Sequence, residues 1–91
     1  MSGTAEATLE IKNRLGLHLR AASTLAQALR QFNSNVMLSN GGHEVNARSV
    51  TSLMMLGAGP RTKLKIRVEG PDAQETLAAV KSLFDAKFGE E

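Results

Sequence analysis

In "KLKIRVEG" the residues Leu64, Ile66 and Val68 fall on one side of an extended chain, and Lys63, Lys65, Arg67 and Glu69 on the other. A strand written this way has one dry face and one wet face, so the sheet that contains it is covered on a single side. The same period runs through "ATLEIKN", where Ala7, Leu9 and Ile11 oppose Thr8, Glu10 and Lys12; a strand is expected from Ala7 to about Asn13. Beyond Gly16 the period changes. Ala22, Leu25, Ala26 and Leu29 recur at i, i+3, i+4 and i+7, with Gln27, Arg30 and Gln31 turned away, which predicts a helix from Leu19 to Arg30 lying on that sheet.

Asn40-Gly41-Gly42 divides two short extended runs in "SNVMLSNGGHEVN", and glycine's tolerance of positive φ predicts a tight hairpin there. "SVTSLMML" predicts one or two helical turns after Ser49, stopped by Gly57 and kept from resuming by Pro60. Asp72, with Glu75 three residues on, reads as a capping box ahead of Leu77, Val80, Leu83 and Phe84 at helical spacing. The predicted order is strand, helix, strand, strand, helix, strand, helix. Its economical packing is an α+β open-faced sandwich, an antiparallel sheet with helices on one side. A chain of 91 residues, 42% of them apolar, encloses one core, so a single domain is expected over residues 1–91.

The formal charge of +2 arises from scattered Lys and Arg balanced by acids, and without a block of like charge nucleic acid is not demanded as a partner. All aromatic residues are Phe, 3% of the chain, too few rings to read as a base-stacking surface. The absence of Cys excludes a disulfide framework and a thiolate zinc site. His18 and His43 stand in different segments, with no i, i+4 pair and no carboxylates at ligand spacing, so no metal and no other cofactor is expected. "MSGTAEATLE" offers neither a basic n-region nor an apolar h-region, and no run approaches the roughly 18 apolar residues that span a bilayer. The expectation is a cytoplasmic protein with no membrane insertion.

His18, in "RLGLHLRAAS", stands at the predicted helix entrance. One reading is structural: a surface or capping histidine whose ring nitrogen helps satisfy the turn. The other is chemical. A helix that begins just after His18 converges the free amides of Leu19, Arg20 and Ala21 beside the imidazole, which makes an anion site. The positive helix end disfavours a protonated ring and leaves a neutral nitrogen nucleophile. The same amides, with the Arg20 guanidinium, stabilise a dianionic phosphoryl group carried on that nitrogen. Hydrolysis with His18 as base fits less well, because no Asp or Glu adjoins it in sequence to orient the ring and nothing marks Ser23 or Ser49 as an activated nucleophile.

"GLHLRAA" followed by "VNARSVTSLMMLGAG" resembles the two signature segments of HPr, the histidine-containing phosphocarrier family of the bacterial phosphoenolpyruvate-dependent sugar phosphotransferase system. The resemblance runs from about Ala7 to Phe88. It implies a βαββαβα sandwich with a four-stranded antiparallel sheet and three helices on one face. It further implies that His18 takes a phosphoryl group on Nδ1 from enzyme I and passes it to an enzyme IIA domain, the protein acting as a stoichiometric carrier and not as an enzyme; a monomer is expected. By the same resemblance Arg20 pairs with the phosphate, and Ser49 matches a serine acted on by a regulatory serine kinase/phosphorylase. Val50, Leu53 and Met54 match positions in the short helix that forms the partner-docking surface.

Each of these matches has a plainer counterpart. Ser49 ahead of an apolar helical stretch is an N-cap. Val50, Leu53 and Met54 fit ordinary core packing, with Met54 and Val50 the better docking candidates. Arg48 reads as a solvated cation at the docking face, joining Arg20 and Arg30 in a basic rim that steers an acidic partner, and His43 as a surface residue at the hairpin. One departure stands out: the family usually has Pro after the arginine, whereas this chain has Ala21, which restores an N–H as a further phosphate donor and loosens the helix start. An HPr-like regulatory or binding module, or a nitrogen-type phosphorelay paralogue, is the alternative reading.

Overall fold

The computed structural model describes residues 3–90. Seven elements follow in the order β1 (Gly3–Glu10), α1 (Leu19–Ala28), β2 (Asn35–Asn40), β3 (His43–Asn46), α2 (Val50–Met55), β4 (Lys63–Gly70) and α3 (Ala73–Asp85). The strands form one antiparallel sheet in the order β1-β4-β2-β3. The most regularly alternating segment is thus an inner strand: β4 pairs with β1 from Gly3↔Gly70 to Glu10↔Lys63, and with β2 from Asn35↔Glu69 to Ser39↔Lys65. Leu64, Ile66 and Val68 are wholly buried, while Lys63, Lys65 and Glu69 point to water.

One continuous core joins that dry face to Ala21, Ala22 and Leu25 of α1, Leu53 of α2, and Val80 and Phe84 of α3. All three helices therefore cover the same face, and the open-faced α+β sandwich stands as expected. Each fully buried Leu, Ile, Val or Phe contributes about 1.5–3 kcal/mol against the entropy of ordering the chain. The wet face carries charges of both signs, including Arg67 at 3.2 Å from both carboxylate oxygens of Glu44 and Lys65 at 3.9 Å from Glu6. The β2–β3 turn uses Gly41 at φ +57 and Gly42 at φ +93, the two positive values that a tight hairpin needs.

Three boundaries differ from the expectation. β1 begins at Gly3 and not at Ala7, because pairing with β4 continues to Gly70 and carries the small residues Gly3, Thr4 and Ala5 with it. It ends at Glu10, although buried Ile11 stays tied to the next turn through Thr62 and Arg61. Helix α1 stops at Ala28 and tightens into a 3-10 turn over Leu29–Gln31. At α3 the capping box does not form. The Asp72 carboxylate is drawn instead to the preceding loop, accepting from Ser34 Oγ at 2.5 Å, the Asn33 amide at 2.9 Å and Thr76 Oγ1 at 3.2 Å. These bonds, Ser34 first and the Asn33 amide second, hold its carboxyl below the usual carboxylate value, with burial opposing them.

Candidate functional site

The loop from Ile11 to Leu17 fixes where His18 enters α1. Gly16 sits at φ +71, and the Leu17 amide donates to the Ala58 carbonyl at 2.9 Å, so the "GAGP" stretch serves as the floor of the histidine loop. His18 is the N-cap residue of α1, with extended backbone angles, and its Nδ1 accepts from the Arg20 amide at 3.3 Å. The first intrahelical bond runs from Ala22 to the His18 carbonyl at 2.8 Å, which leaves the amides of Leu19, Arg20 and Ala21 ahead of the hydrogen-bond ladder. The helix entrance that the sequence predicted is therefore in place, and the ring takes the capping role. Ala21 is the third helical residue and buried, so the position usually held by Pro lies inside the first turn.

The other ring nitrogen meets an acid that lies 72 positions away. His18 Nε2 is 2.5 Å from Glu90 Oε2, with side-chain exposures of 29% and 11%. Glu90 Oε1 accepts in turn from Asn13 Nδ2 at 2.9 Å, and the same amide nitrogen donates to the Gly16 carbonyl at 2.6 Å. Asn13 is wholly buried. The Asn13 bond is the main cause that holds the Glu90 carboxyl below the usual carboxylate value; His18 and Arg20 add to it and burial opposes it. With Nδ1 accepting and Nε2 facing a carboxylate, the network assigns the ring proton to Nε2. The helix-end amides and Glu90 thus act on different nitrogens, a division that the sequence did not reveal. The orienting acid that is missing beside His18 in sequence is supplied in space.

Glu90 arrives by an unusual path. After α3, Lys87, Phe88 and Gly89 take φ of +56, +56 and +79, three left-handed residues in succession. Phe88 is buried, with its ring centroid 4.9 Å from that of Phe84, and this anchors the turn that swings Glu90 toward His18. Lys12 reaches Asp85 at 2.8 Å and ties the end of α3 to the loop after β1. Arg14, Leu15, Arg20, Gly89 and Glu90 line a cleft of about 280 Å³ beside the ring. Both Arg14 and Arg20 are exposed there, and neither guanidinium has an ion-pair or hydrogen-bond partner among the described residues.

The expected docking residues separate. Leu53 is wholly buried in the core: α2 is only six residues long and packs on α1, so Leu53 faces inward and is unavailable for docking. Met54 is 45% exposed, as expected, and Val50 is half-buried. Met55, at 68%, and the exposed Leu15 and Leu19 are further exposed apolar side chains beyond the residues expected from sequence. Arg48 is exposed, as expected of a solvated cation, but it is also tied to the fold. Its guanidinium donates to the carbonyls of Leu29 at 2.8 Å, Phe32 at 2.9 Å and Ser34 at 2.9 Å, supplying donors to the carbonyl-rich end of α1. A groove of about 370 Å³ runs between α1 and α2 past Gln27, Arg30, Arg48 and Val50. Ser49 caps α2, accepting from the Ser52 amide at 3.2 Å. His43 is exposed at the hairpin. No helix among the described residues is long and apolar enough to cross a membrane.

Residues 5–86 match a family model described as the PTS HPr component phosphorylation site. The chain is 40% identical to phosphocarrier protein HPr of Xylella fastidiosa strain Temecula1 over 86 residues, 94% of this chain and 97% of the relative. It is 38% identical to phosphocarrier protein NPr of Escherichia coli K12 over 89 residues, covering 97% and 99% of the two chains. A crystal structure of HPr from Thermoanaerobacter tengcongensis superposes with a TM-score of 0.91 at 38% identity, over 96% of this chain and 98% of that one. With the fold, the histidine at the helix entrance and these matches together, the chain belongs to the HPr family of phosphocarriers of the phosphotransferase system.

Proposed function

We propose that His18 carries the phosphoryl group, receiving it from a phosphoenolpyruvate-charged enzyme I and passing it to an enzyme IIA domain. The observation that carries this reading is the position of Nδ1 at the start of α1, beside amides that precede the helical ladder, with Arg20 exposed in the same first turn. The Nδ1 lone pair attacks phosphorus as the bond from phosphorus to the donor breaks, and the proton on Nε2 stays in place. The Arg20 amide exchanges its bond to Nδ1 for one to a phosphoryl oxygen, and the amides of Leu19 and Ala21 with the Arg20 guanidinium take up the remaining negative charge. Delivery reverses these bonds. The chain acts as a monomeric, cytoplasmic, single-domain carrier that is consumed and regenerated in each cycle, not as a catalyst.

Met54, Met55, Leu15 and Leu19 serve as the apolar rim on which partners dock, with Val50 at its edge. Ser49 serves as the helix cap and, as a phosphoserine, as a brake on docking. The similarity to NPr of Escherichia coli, together with Ala21, supports a second reading in which the donor belongs to a nitrogen-type relay. Incubation with phosphoenolpyruvate and enzyme I should place one acid-labile, base-stable phosphate on the protein, and His18→Ala should accept none. Equal labelling of that variant overturns the assignment. Comparison of sugar-type and nitrogen-type enzyme I as donors decides between the two relays.

A further inference from the structure

We propose that Glu90 is a positioning residue for His18, held in place by Asn13, which fixes the tautomer and orientation of the ring and neutralises the positive charge that the imidazole acquires as phosphorus bonds to Nδ1. The proposal rests on the reading of His18 as the phosphoryl carrier. Nε2 keeps its proton while Nδ1 gains a bond to phosphorus, so the phosphorylated ring is an imidazolium. A carboxylate at 2.5 Å from Nε2 meets that charge where it develops. The atoms balance without a further proton acceptor: the donor's bond to phosphorus breaks, the Nδ1–P bond forms, and the Nε2 proton remains between His18 and Glu90.

Three features of the site support the role. First, among the described residues the other hydrogen bond to the ring is the 3.3 Å bond at Nδ1, and an imidazole's χ2 torsion is broad and roughly two-fold without a second partner. Second, the Asn13 amide is pinned with its NH2 toward both neighbours, because the Gly16 carbonyl and Glu90 Oε1 are acceptors and a flipped amide would set oxygen against oxygen. It holds this pose although its own Oδ1, buried, has no hydrogen-bond partner among the described residues. Third, Lys87 and Phe88 adopt left-handed backbone angles that side chains resist, and Phe88 is clamped against Phe84 while the chain does so. The strained turn delivers the carboxylate to His18.

Glu90→Gln keeps the size and removes the charge. Whichever carboxylate position its oxygen takes, its NH2 takes the other and meets a donor, Asn13 Nδ2 or His18 Nε2–H. The experiment compares wild type, Glu90→Gln and Glu90→Ala by ring 15N NMR of the unphosphorylated protein and by the initial rate of phosphorylation by enzyme I, with His43 as the internal reference. In wild type, His18 should show a protonated Nε2 and an unprotonated Nδ1. In both variants the two ring shifts should move toward each other, and the rate should fall roughly ten- to a hundredfold, while His43 is unchanged. Unchanged His18 shifts overturn the proposal, and so does a changed spectrum with an unchanged rate. A wild-type protein that takes no phosphate on His18 would instead overturn the functional reading, and the ring shifts would then test the orientation by Glu90 separately.

Discussion

Gly16 lies against Ala58 so closely that a Cβ on the glycine would stand 2.5 Å from the alanine's carbonyl oxygen. Contact at that distance cannot be relieved by a side-chain rotation, since the obstacle is backbone. The two signature segments are therefore packed backbone to backbone at this point, with Gly16 at φ +71. Gly16→Ala should lower the unfolding free energy by more than about 1 kcal/mol, from the left-handed angle and the overlap together. Urea denaturation checks this. A midpoint equal to that of wild type would mean that the loop shifts freely.

Arg48 makes three bonds to carbonyls of one loop, so Arg48→Ala should cost about 1–3 kcal/mol. Arg48→Lys should recover only part of the loss, because an ammonium cannot span the same fork of acceptors. Thermal melts measure the stability. Phosphorylation of the folded fraction should proceed at the wild-type rate in both variants, and a large drop in that rate would show that Arg48 takes part in docking.

Acid should find Asp72. Its folded-state carboxyl titrates below the ordinary 3.8, so the unfolded chain takes up the proton first as pH falls. The stability from this group is complete above the unfolded value and is lost as pH drops through it toward the folded one. Asp72→Asn should therefore be less stable than wild type at neutral pH, with the gap narrowing toward pH values below about 3. Urea midpoints across that range test the sign. A constant gap would show that the charge contributes nothing.

Ser49→Ala should lose about 0.5–2 kcal/mol through the missing cap to Ser52. Ser49→Asp keeps a capping oxygen and adds negative charge at a helix start, so its melting temperature should match or exceed that of the alanine variant. Phosphorylation of His18 should nevertheless be slower in Ser49→Asp, because the charge lies next to Val50, at the edge of the proposed docking rim. Rates and melts run on the same samples separate the two effects. A wild-type rate for both the aspartate variant and authentic phosphoserine would leave Ser49 as a cap alone.

What the sequence disclosed follows from range. β4 was legible because its alternation of Leu64, Ile66 and Val68 with charged residues is a local record of a one-sided sheet, and α1 because its apolar stripe has helical spacing. His18 was legible because a cap and the amides it serves are adjacent in the chain. Glu90 was not, since its meeting with His18 is purely tertiary and follows a left-handed turn at Lys87 and Phe88, residues with no turn signature. The bonds of Arg48 were hidden for a related reason: its acceptors are backbone carbonyls at Leu29, Phe32 and Ser34, which leave no mark in composition. Asp72 looked like half of a capping box, yet Ser34 competed successfully for its carboxylate.

The face of the sheet turned away from the helices has a consequence for assembly. A sandwich closed on one side leaves the other side available for stacking against a second sheet, with side chains interdigitating at about 10 Å separation. Here that side is held by Glu6, Glu44, Lys65, Arg67 and Glu69, whose ion pairs remain in contact with solvent. Any sheet laid over them would have to strip water from both signs of charge at once, a cost that the surface pairs do not repay. The uncovered face is therefore a poor surface on which to stack a second sheet.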